Sequence, residues 1–398
     1  MNENLWNRKN SVVVTCPRGL APYLADELKA LCLPVLTAWE SGVETEATLA
    51  DTLMMNLSLR TGHRVLYLLE EGEARNPAQC YGLIARLSWE SWVADDGYLC
   101  VTSAVDTPVI NDPRFVNVTV KDAIVDRIRE RMGKRPDSGP ERTGTVVHVY
   151  WQGDRIRVFF DTSGEPLSRR GYRRIPLQAP MQETLAAGVV IATGWLNDGP
   201  FVNPMCGSGT LAIEAALMAL NRKPGILRSN FGFMHILGFD SREWEDLCQK
   251  ARSLERNAAA FPMVATDIRG EAVRASRQNA REAGVEDLIS FHLCPFEKTP
   301  VPQGSGVVLL NPGYGERLGT EKELASVYGR IGDFFKQTCQ GYRGFVFTGN
   351  AALAKKIGLR TSRRVPFFNS EIECRLLAYD LYRGSRKGSP GDGGERDA

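Results

Sequence analysis

The apolar and polar positions fall into two textures along the chain. In the first 165 residues, short extended runs alternate with amphipathic helical stretches. Residues 11–15 read as a strand, a turn follows at Cys16-Pro17-Arg18-Gly19, and Tyr23, Leu24, Leu28 and Leu31 share one side of a helix over 22–31. The unit repeats: residues 43–47 are extended, ATLADTLMMNLSLR is helical, and 65–69 form another strand. Residues 98–104 again read as a strand. The helix NVTVKDAIVDRIRERMGKR then sets Val120, Ile124, Ile128 and Met132 on one face. Strands over 145–151 and 155–161, joined by Gln152-Gly153-Asp154, form a hairpin. The run SRRGYRRIP reads as a basic linker.

From Gln178 onward the texture changes. Strand-like runs FVN, MVAT, VVLLN and GFVFTGN each precede a helical segment, beginning near Thr210, Gly270, Glu321 and Ala351. Alternating β and α elements predict an α/β fold with a doubly wound parallel sheet. Residues 371–382 are expected to form a long edge hairpin strand. The tail RGSRKGSPGDGGERDA has the composition of a disordered segment. The expected division is therefore 1–70 and 71–165, both α+β, then a linker at 166–180, the α/β part at 181–384 and a tail at 385–398.

Composition narrows the classes. The 398 residues are 43% hydrophobic and 24% charged, enough to bury a full core without disulfide staples. The 49 basic and 47 acidic residues leave a net charge of +2, which excludes a wholly basic nucleic-acid binder; an RNA partner has to be held by local patches. No run of about 18 apolar residues is present, and SVVV is too short for a signal sequence, so no membrane contact and a cytoplasmic location are expected. The nine cysteines are scattered without a C-x-x-C, which predicts neither a disulfide framework nor a metal site. The oligomeric state is not encoded in any of these features.

Three motifs carry chemistry. In FVNPMCGSGTLAIEAAL a strand ends in a turn with Gly207 and Gly209, and Thr210 opens a helix. Such a first βα turn is where nucleotide-like ligands sit, and neither a Walker lysine nor a G-x-G-x-x-G is present. In VATDIRGEAVRASRQNAREAGV, Asp267 ends a strand, where a carboxylate accepts from ribose hydroxyls; an N-cap role for it is the plainer alternative. The gap from Gly209 to Asp267 requires residues 223–260 to be an inserted helical excursion. In VVLLNPGYGERLG a buried strand delivers Asn311, Pro312 and Tyr314 to the sheet edge. The Asn311 side-chain oxygen and the Pro312 carbonyl suit the two N–H groups of an exocyclic base amine, and Tyr314 suits stacking on the ring. His63, His148, His235 and His292 are isolated and read as structural.

Together with NVTVKDAIVDRIRERMGKRPD, DTSGEPLSRRGYRR and APMQETLAAGVV, these motifs resemble class I S-adenosylmethionine-dependent methyltransferases with an N/D-P-P-Y-type motif. Among them the chain is most similar to the THUMP-domain RNA methyltransferases of bacteria that modify guanine N2 in large-subunit ribosomal RNA. The resemblance runs over about residues 10–383. It implies a ferredoxin-like piece and a THUMP domain that serve RNA, a Rossmann-like catalytic domain, and S-adenosylmethionine as cofactor. Carried over by motif, Asn203, Met205, Gly207 and Gly209 line the methionine and ribose end of the cofactor. Asp267 holds the ribose, Ile268 lies beside the adenine, and Asn311, Pro312 and Tyr314 hold the target base.

The chain departs from the family at three places. Asn203 stands where an acid is common, Gly313 replaces the second proline, and HLCPFEK has no acid near Pro295. Phosphate contacts are expected from Arg169, Arg170, Arg173 and Arg174 with Tyr172 between them, and from Arg127, Arg131, Lys134 and Arg135 at the helix end. The expected activity is methyl transfer to guanine N2 in 23S rRNA. The alternatives are guanine in tRNA, an adenine amine in RNA or DNA, and an inactive RNA-binding or ribosome-assembly factor.

Overall fold

The computed structural model describes residues 4–110, 112–175, 177, 181–313 and 321–382; Tyr314 and the expected tail at 385–398 lie outside them. The first part runs β1 (Lys9–Thr15), α1 (Ala21–Ala30), β2 (Thr37–Trp39), β3 (Gly42–Thr48), α2 (Asp51–Ser58), β4 (Arg64–Glu73), α3 (Pro77–Ala85), β5 (Tyr98–Asp106), α4 (Pro113–Met132), β6 (Asp137–Ser138), β7 (Thr145–Gln152) and β8 (Arg155–Asp161). These strands form one sheet in the order β2-β3-β1-β4-β8-β7-β5-β6. The two N-terminal units thus share a sheet. β4 pairs with β1 on one side and β8 on the other, and the border expected after residue 70 falls inside it.

Period-two burial explains the sheet. Val12, Val14, Val65, Tyr67, Val149, Val158 and Phe160 turn to the main core, while Val13, Leu66, Leu68 and Phe159 pack together on the other face. On α4, Val120, Ile124 and Ile128 are buried as expected, but Met132 is 52% exposed. It is the last helical residue before Gly133, whose left-handed backbone (φ 75°) ends the helix, and the apolar stripe stops a turn earlier.

The second part comprises α5 (Glu183–Ala192), β9 (Phe201–Pro204), α6 (Thr210–Ala219), α7 (Ser241–Ser253), β10 (Met263–Asp267), α8 (Gly270–Glu282), β11 (Ile289–Leu293), β12 (Val307–Leu310), α9 (Glu321–Gln337), β13 (Arg343–Thr348), α10 (Ala351–Lys355), β14 (Arg363–Asn369) and β15 (Ile372–Asp380). The sheet order is β11-β10-β9-β12-β13-β15-β14. The first five strands are parallel, β15 runs against them, and the edge strand β14, antiparallel to β15, runs with them again. Both faces are apolar, as a strand covered by helices on either side requires: Phe201, Val307 and Leu309 join one core, and Val202, Val308 and Leu310 the other.

One strand assignment is corrected. β15 is interior, and the edge belongs to β14, over RRVPFFN. Pro366 makes that run look like a breaker, yet an edge strand tolerates proline because only one side of its backbone needs a ladder partner. The N-terminal part covers this edge: the Arg18 guanidinium lies 3.9 Å over the Phe368 ring, and Tyr23 stacks on Phe367 at 6.0 Å.

The excursion over 223–260 is present, with α7 and two short 3₁₀ turns, and it docks onto the N-terminal part. Trp6 Nε1 donates to the Leu237 carbonyl (2.9 Å), Leu237 N to Trp92 O (2.9 Å), and Phe233 N to Thr162 O (3.0 Å). Half-buried Arg228 donates to the carbonyls of Ser163, Glu165 and Pro166.

The linker is also part of this joint, which corrects its reading as a solvent-facing basic strip. Arg170 is 1% exposed; its Nε donates to Glu214 Oε1 (2.8 Å) and its Nη2 to the Arg60 carbonyl (2.7 Å). Tyr172 is 2% exposed and its hydroxyl donates to the same Glu214 oxygen (3.0 Å). Arg173 is turned inward to Glu183 (2.9 Å) and the Met181 carbonyl (2.6 Å). Burial opposes the charge on Arg170, but the Glu214 carboxylate outweighs it and holds the guanidinium above its ordinary pKa. Burial beside Glu214 pushes the Tyr172 phenol well up. Arg170 and Tyr172 are thus closed to RNA phosphates.

Two outcomes follow for stability. Arg170→Met leaves Glu214 buried and uncompensated, and should lower unfolding free energy by about 3–5 kcal/mol in urea titration; adding Glu214→Leu should restore much of the loss. Burial, with Arg64 and Arg142 nearby, lowers His63 and His148 to about 4. An unfolded histidine titrates near 6.5, so the unfolded chain takes up protons first. Their contribution is complete above about pH 6.5 and falls away as pH drops towards 4. His148→Gln should flatten the decline of the urea midpoint across that window.

Candidate active site

The carboxyl ends of three adjacent parallel strands, β10, β9 and β12, carry Asp267, Asn203 and Asn311, so the chain brings these motifs to one sheet edge. The strand order reverses between β9 and β12, and at such a switch point the loops on either side part and open a crevice.

The turn after β9 is built by backbone geometry. Met205 has a φ of 56°, uncommon for a side-chain-bearing residue, and Gly207 and Gly209 have φ of 57° and 82°. A Cβ at Gly209 would sit 3.0 Å from the Ser276 Cβ, so α8 packs directly on the turn there. Around Gly207 nothing lies within 4 Å of a Cβ position, which leaves the backbone open to an approaching ligand.

Asp267 holds that turn from the neighbouring strand. Its side chain is 7% exposed; Oδ2 accepts from Gly207 N (3.0 Å) and Oδ1 from Arg269 N (3.0 Å). The N-cap position of α8 is Arg269, without a side-chain cap bond, so capping does not account for Asp267. Ile268 and Leu293, which follow β10 and close β11, are 68% and 62% exposed. Apolar side chains left bare at a polar cleft suit the faces of a flat ring. Near Pro295, Cys294 N donates to the Asp267 carbonyl (3.1 Å), so that amide is already used.

Two acceptors at this edge are unsatisfied among the described residues. Asn203 is fully buried, and its Nδ2 donates to the Leu309 carbonyl (2.8 Å) while its Oδ1 has no partner there. Asn311 Oδ1 is likewise buried without a partner among them, and Pro312 beside it is buried. A buried carbonyl oxygen without a donor costs about 1–3 kcal/mol, so both positions favour a ligand that donates. Tyr314 lies outside the described residues.

The expected RNA contacts divide. Arg131, Lys134 and Arg135 are exposed at the end of α4 and beyond. Arg127 is withdrawn by a bidentate pair with Glu90 (3.0 and 2.8 Å). Arg169 and Arg174 are exposed, each ion-paired at the surface, to Glu165 and Glu282.

Counted within this sheet, the strand order is 3-2-1-4-5-7-6. With a glycine turn after the first strand, an acid after the second and an Asn-Pro turn after the fourth, it defines a class I methyltransferase domain. Residues 170–378 match the family described as RMKL-like, methyltransferase domain, and the chain belongs to that family. Residues 11–66 match the RlmL ferredoxin-like domain and 74–161 the THUMP domain.

The chain is 37% identical over 377 residues to ribosomal RNA large subunit methyltransferase K/L of Syntrophotalea carbinolica, covering 92% of this chain and 53% of that protein. It is 34% identical to a putative RNA methyltransferase of Synechocystis, covering 92% and 96%. The chain spans about half the length of the K/L relatives. Among solved structures, SMU.472, a putative methyltransferase complexed with SAH (S-adenosylhomocysteine), superposes with a TM-score of 0.85 at 26% identity, over 95% of this chain and 100% of that one. A predicted N6-adenine-specific DNA methylase from Listeria monocytogenes gives 0.84 at 28%, over 95% and 98%.

Class I methyltransferases take S-adenosylmethionine, and the residues present suit it. Open space at Gly207, the held carboxylate of Asp267, the orphan oxygen of Asn203 and the bare Ile268 and Leu293 provide for backbone, hydroxyl, ammonium and ring contacts. Asp267→Ala removes the acceptor from two backbone amides and the carboxylate that suits ribose hydroxyls. It should weaken S-adenosylhomocysteine binding by about 10- to 100-fold in calorimetric titration, on the scale of hydrogen bonds to a charged group.

Proposed function

We propose that this protein methylates the exocyclic N2 amine of a guanine in RNA, with large-subunit 23S rRNA as substrate. The observation that carries the reading is the buried Oδ1 of Asn311, without a partner among the described residues, at the tip of β12 beside the cofactor turn. When bound, S-adenosylmethionine supplies an electrophilic methyl group. A weak aromatic amine then needs alignment more than activation. Asn311 Oδ1 and the Pro312 carbonyl accept the two N–H groups, which directs the nitrogen lone pair outward and stabilises the positive charge that builds on it. The proton leaves to solvent afterwards, so no histidine takes part. Tyr314, outside the described residues, is assigned by its motif to stack on the base.

A base inside a helix cannot reach this edge, so the target is unpaired or flipped out. Arg131, Lys134, Arg135, Arg169 and Arg174 hold the phosphates around it. The domain matches support RNA over DNA, and of the two components that K/L names, the ferredoxin-like match is to L. A cytoplasmic location goes with such a substrate. The alternative of guanine in tRNA uses the same amine pocket. The alternative of an inactive RNA-binding factor is disfavoured by the intact glycine turn and its contact to Asp267.

Asn311→Ala should lower kcat for methyl transfer to RNA by about 10²- to 10³-fold, the scale of a lost transition-state acceptor or donor, with S-adenosylhomocysteine affinity held within about threefold. Turnover near wild type would remove Asn311 from the mechanism. Mapping methylated bases in ribosomal and transfer RNA from cells with and without the gene then separates the two substrates.

A further inference from the structure

The linker and the cofactor turn meet on one side chain. Asn279, on α8, is 1% exposed and makes four hydrogen bonds. Its Oδ1 accepts from Arg174 N (2.9 Å) and Ile175 N (3.1 Å), in the segment that joins the N-terminal part to the methyltransferase domain. Its Nδ2 donates to the Ile175 carbonyl (3.3 Å) and to the Ser208 carbonyl (3.1 Å), between the two glycines of the cofactor turn. One helical turn back, Ser276 Oγ donates to the Gly207 carbonyl (2.7 Å), so α8 grips the turn at two successive residues. Only an amide supplies this pattern, because both donors and both acceptor sites are used and neither end can be reversed.

We infer that Asn279 is a positioning residue which ties the interdomain segment to the cofactor turn, so that the placement of residues 174–175 sets the affinity for S-adenosylmethionine. The inference rests on the methyltransferase reading above. It goes beyond that reading by making cofactor binding depend on a segment outside the cleft. A side chain shared by two segments couples them energetically, and the coupling is reciprocal.

Asn279→Asp separates the two halves of the contact. The carboxylate still accepts from Arg174 N and Ile175 N, but its other oxygen now faces the Ser208 and Ile175 carbonyls. Calorimetric titration of the full chain with S-adenosylhomocysteine should show a dissociation constant raised about tenfold or more, with kcat at saturating S-adenosylmethionine within about twofold of wild type. Gln278→Ala, on the exposed side of the same helix, should leave both unchanged. A lower melting temperature with unaltered affinity in the folded Asn279→Asp protein would mean a merely structural role, and would overturn the inference.

Ile175→Pro is the second arm, should Asn279→Asp not fold. It deletes one linker amide, leaves α8 and the cleft untouched, and replaces a side chain already 42% exposed. It should weaken S-adenosylhomocysteine about three- to tenfold, the worth of one hydrogen bond. Unchanged affinity there also overturns the coupling. A wild-type chain that binds no S-adenosylhomocysteine would instead defeat the methyltransferase reading itself.

Discussion

Where the ladder between β9 and β12 ends, a side chain continues it. The two strands pair at Phe201–Val307 and Val202–Val308, and the next residue of β9 reaches across, Asn203 Nδ2 donating to the Leu309 carbonyl. Beyond it stands Pro204, which has no N–H to offer. The tie sits at the switch point, where the strands must part to make room for a ligand. It fixes the distance between the cofactor turn that follows β9 and the Asn311 turn that follows β12. Without it, the two halves of the site would be held together only by the short ladder and the packing below the edge.

This tie gives a physical meaning to the amide at position 203. A carboxylate there would have no proton to give the Leu309 carbonyl, and two oxygens would face each other in a site sealed from water. The asparagine provides the donor, and its Oδ1 is left without a partner among the described residues. In the proposed reading, a contact from that oxygen to a cofactor ammonium is a dipole contact rather than an ion pair, and the rigidity of the edge is what the chain has in its place.

Much of this was legible in the chain itself, because strand-end motifs announce themselves by residue type. Apolar runs followed by N-P-M-C-G-S-G, T-D-I-R-G and N-P-G mark three strand ends, and parallel βα alternation puts all strand ends on one edge. The basic linker was misread for the opposite reason. SRRGYRR looks like a solvated strip because its partner, Glu214, lies 44 residues further on, on a helix whose sequence shows only one acid among apolar residues. Local charge density cannot reveal a distant counter-charge. β14 was hidden by Pro366, whose cost vanishes at a sheet edge. The left-handed backbone at Met205 has no residue signature at all.

The misread linker alters how the molecule is to be understood. Had Arg170 and Arg173 also faced solvent, the N-terminal part would hang on a loose tether. Instead Arg170, Tyr172 and Arg173 are anchored to Glu214 and Glu183, the excursion carrying α7 is bonded to Thr162 and Trp92, and α1 leans on β14. Three separate contacts fix the orientation of one part against the other, and buried ion pairs are poor hinges because either partner alone is costly. A fixed orientation means that the distance from the exposed cations of α4 to Asn311 is set by the fold. In the proposed reaction, that fixed distance limits which RNA folds can bring a flipped base to this edge while their phosphates meet those cations.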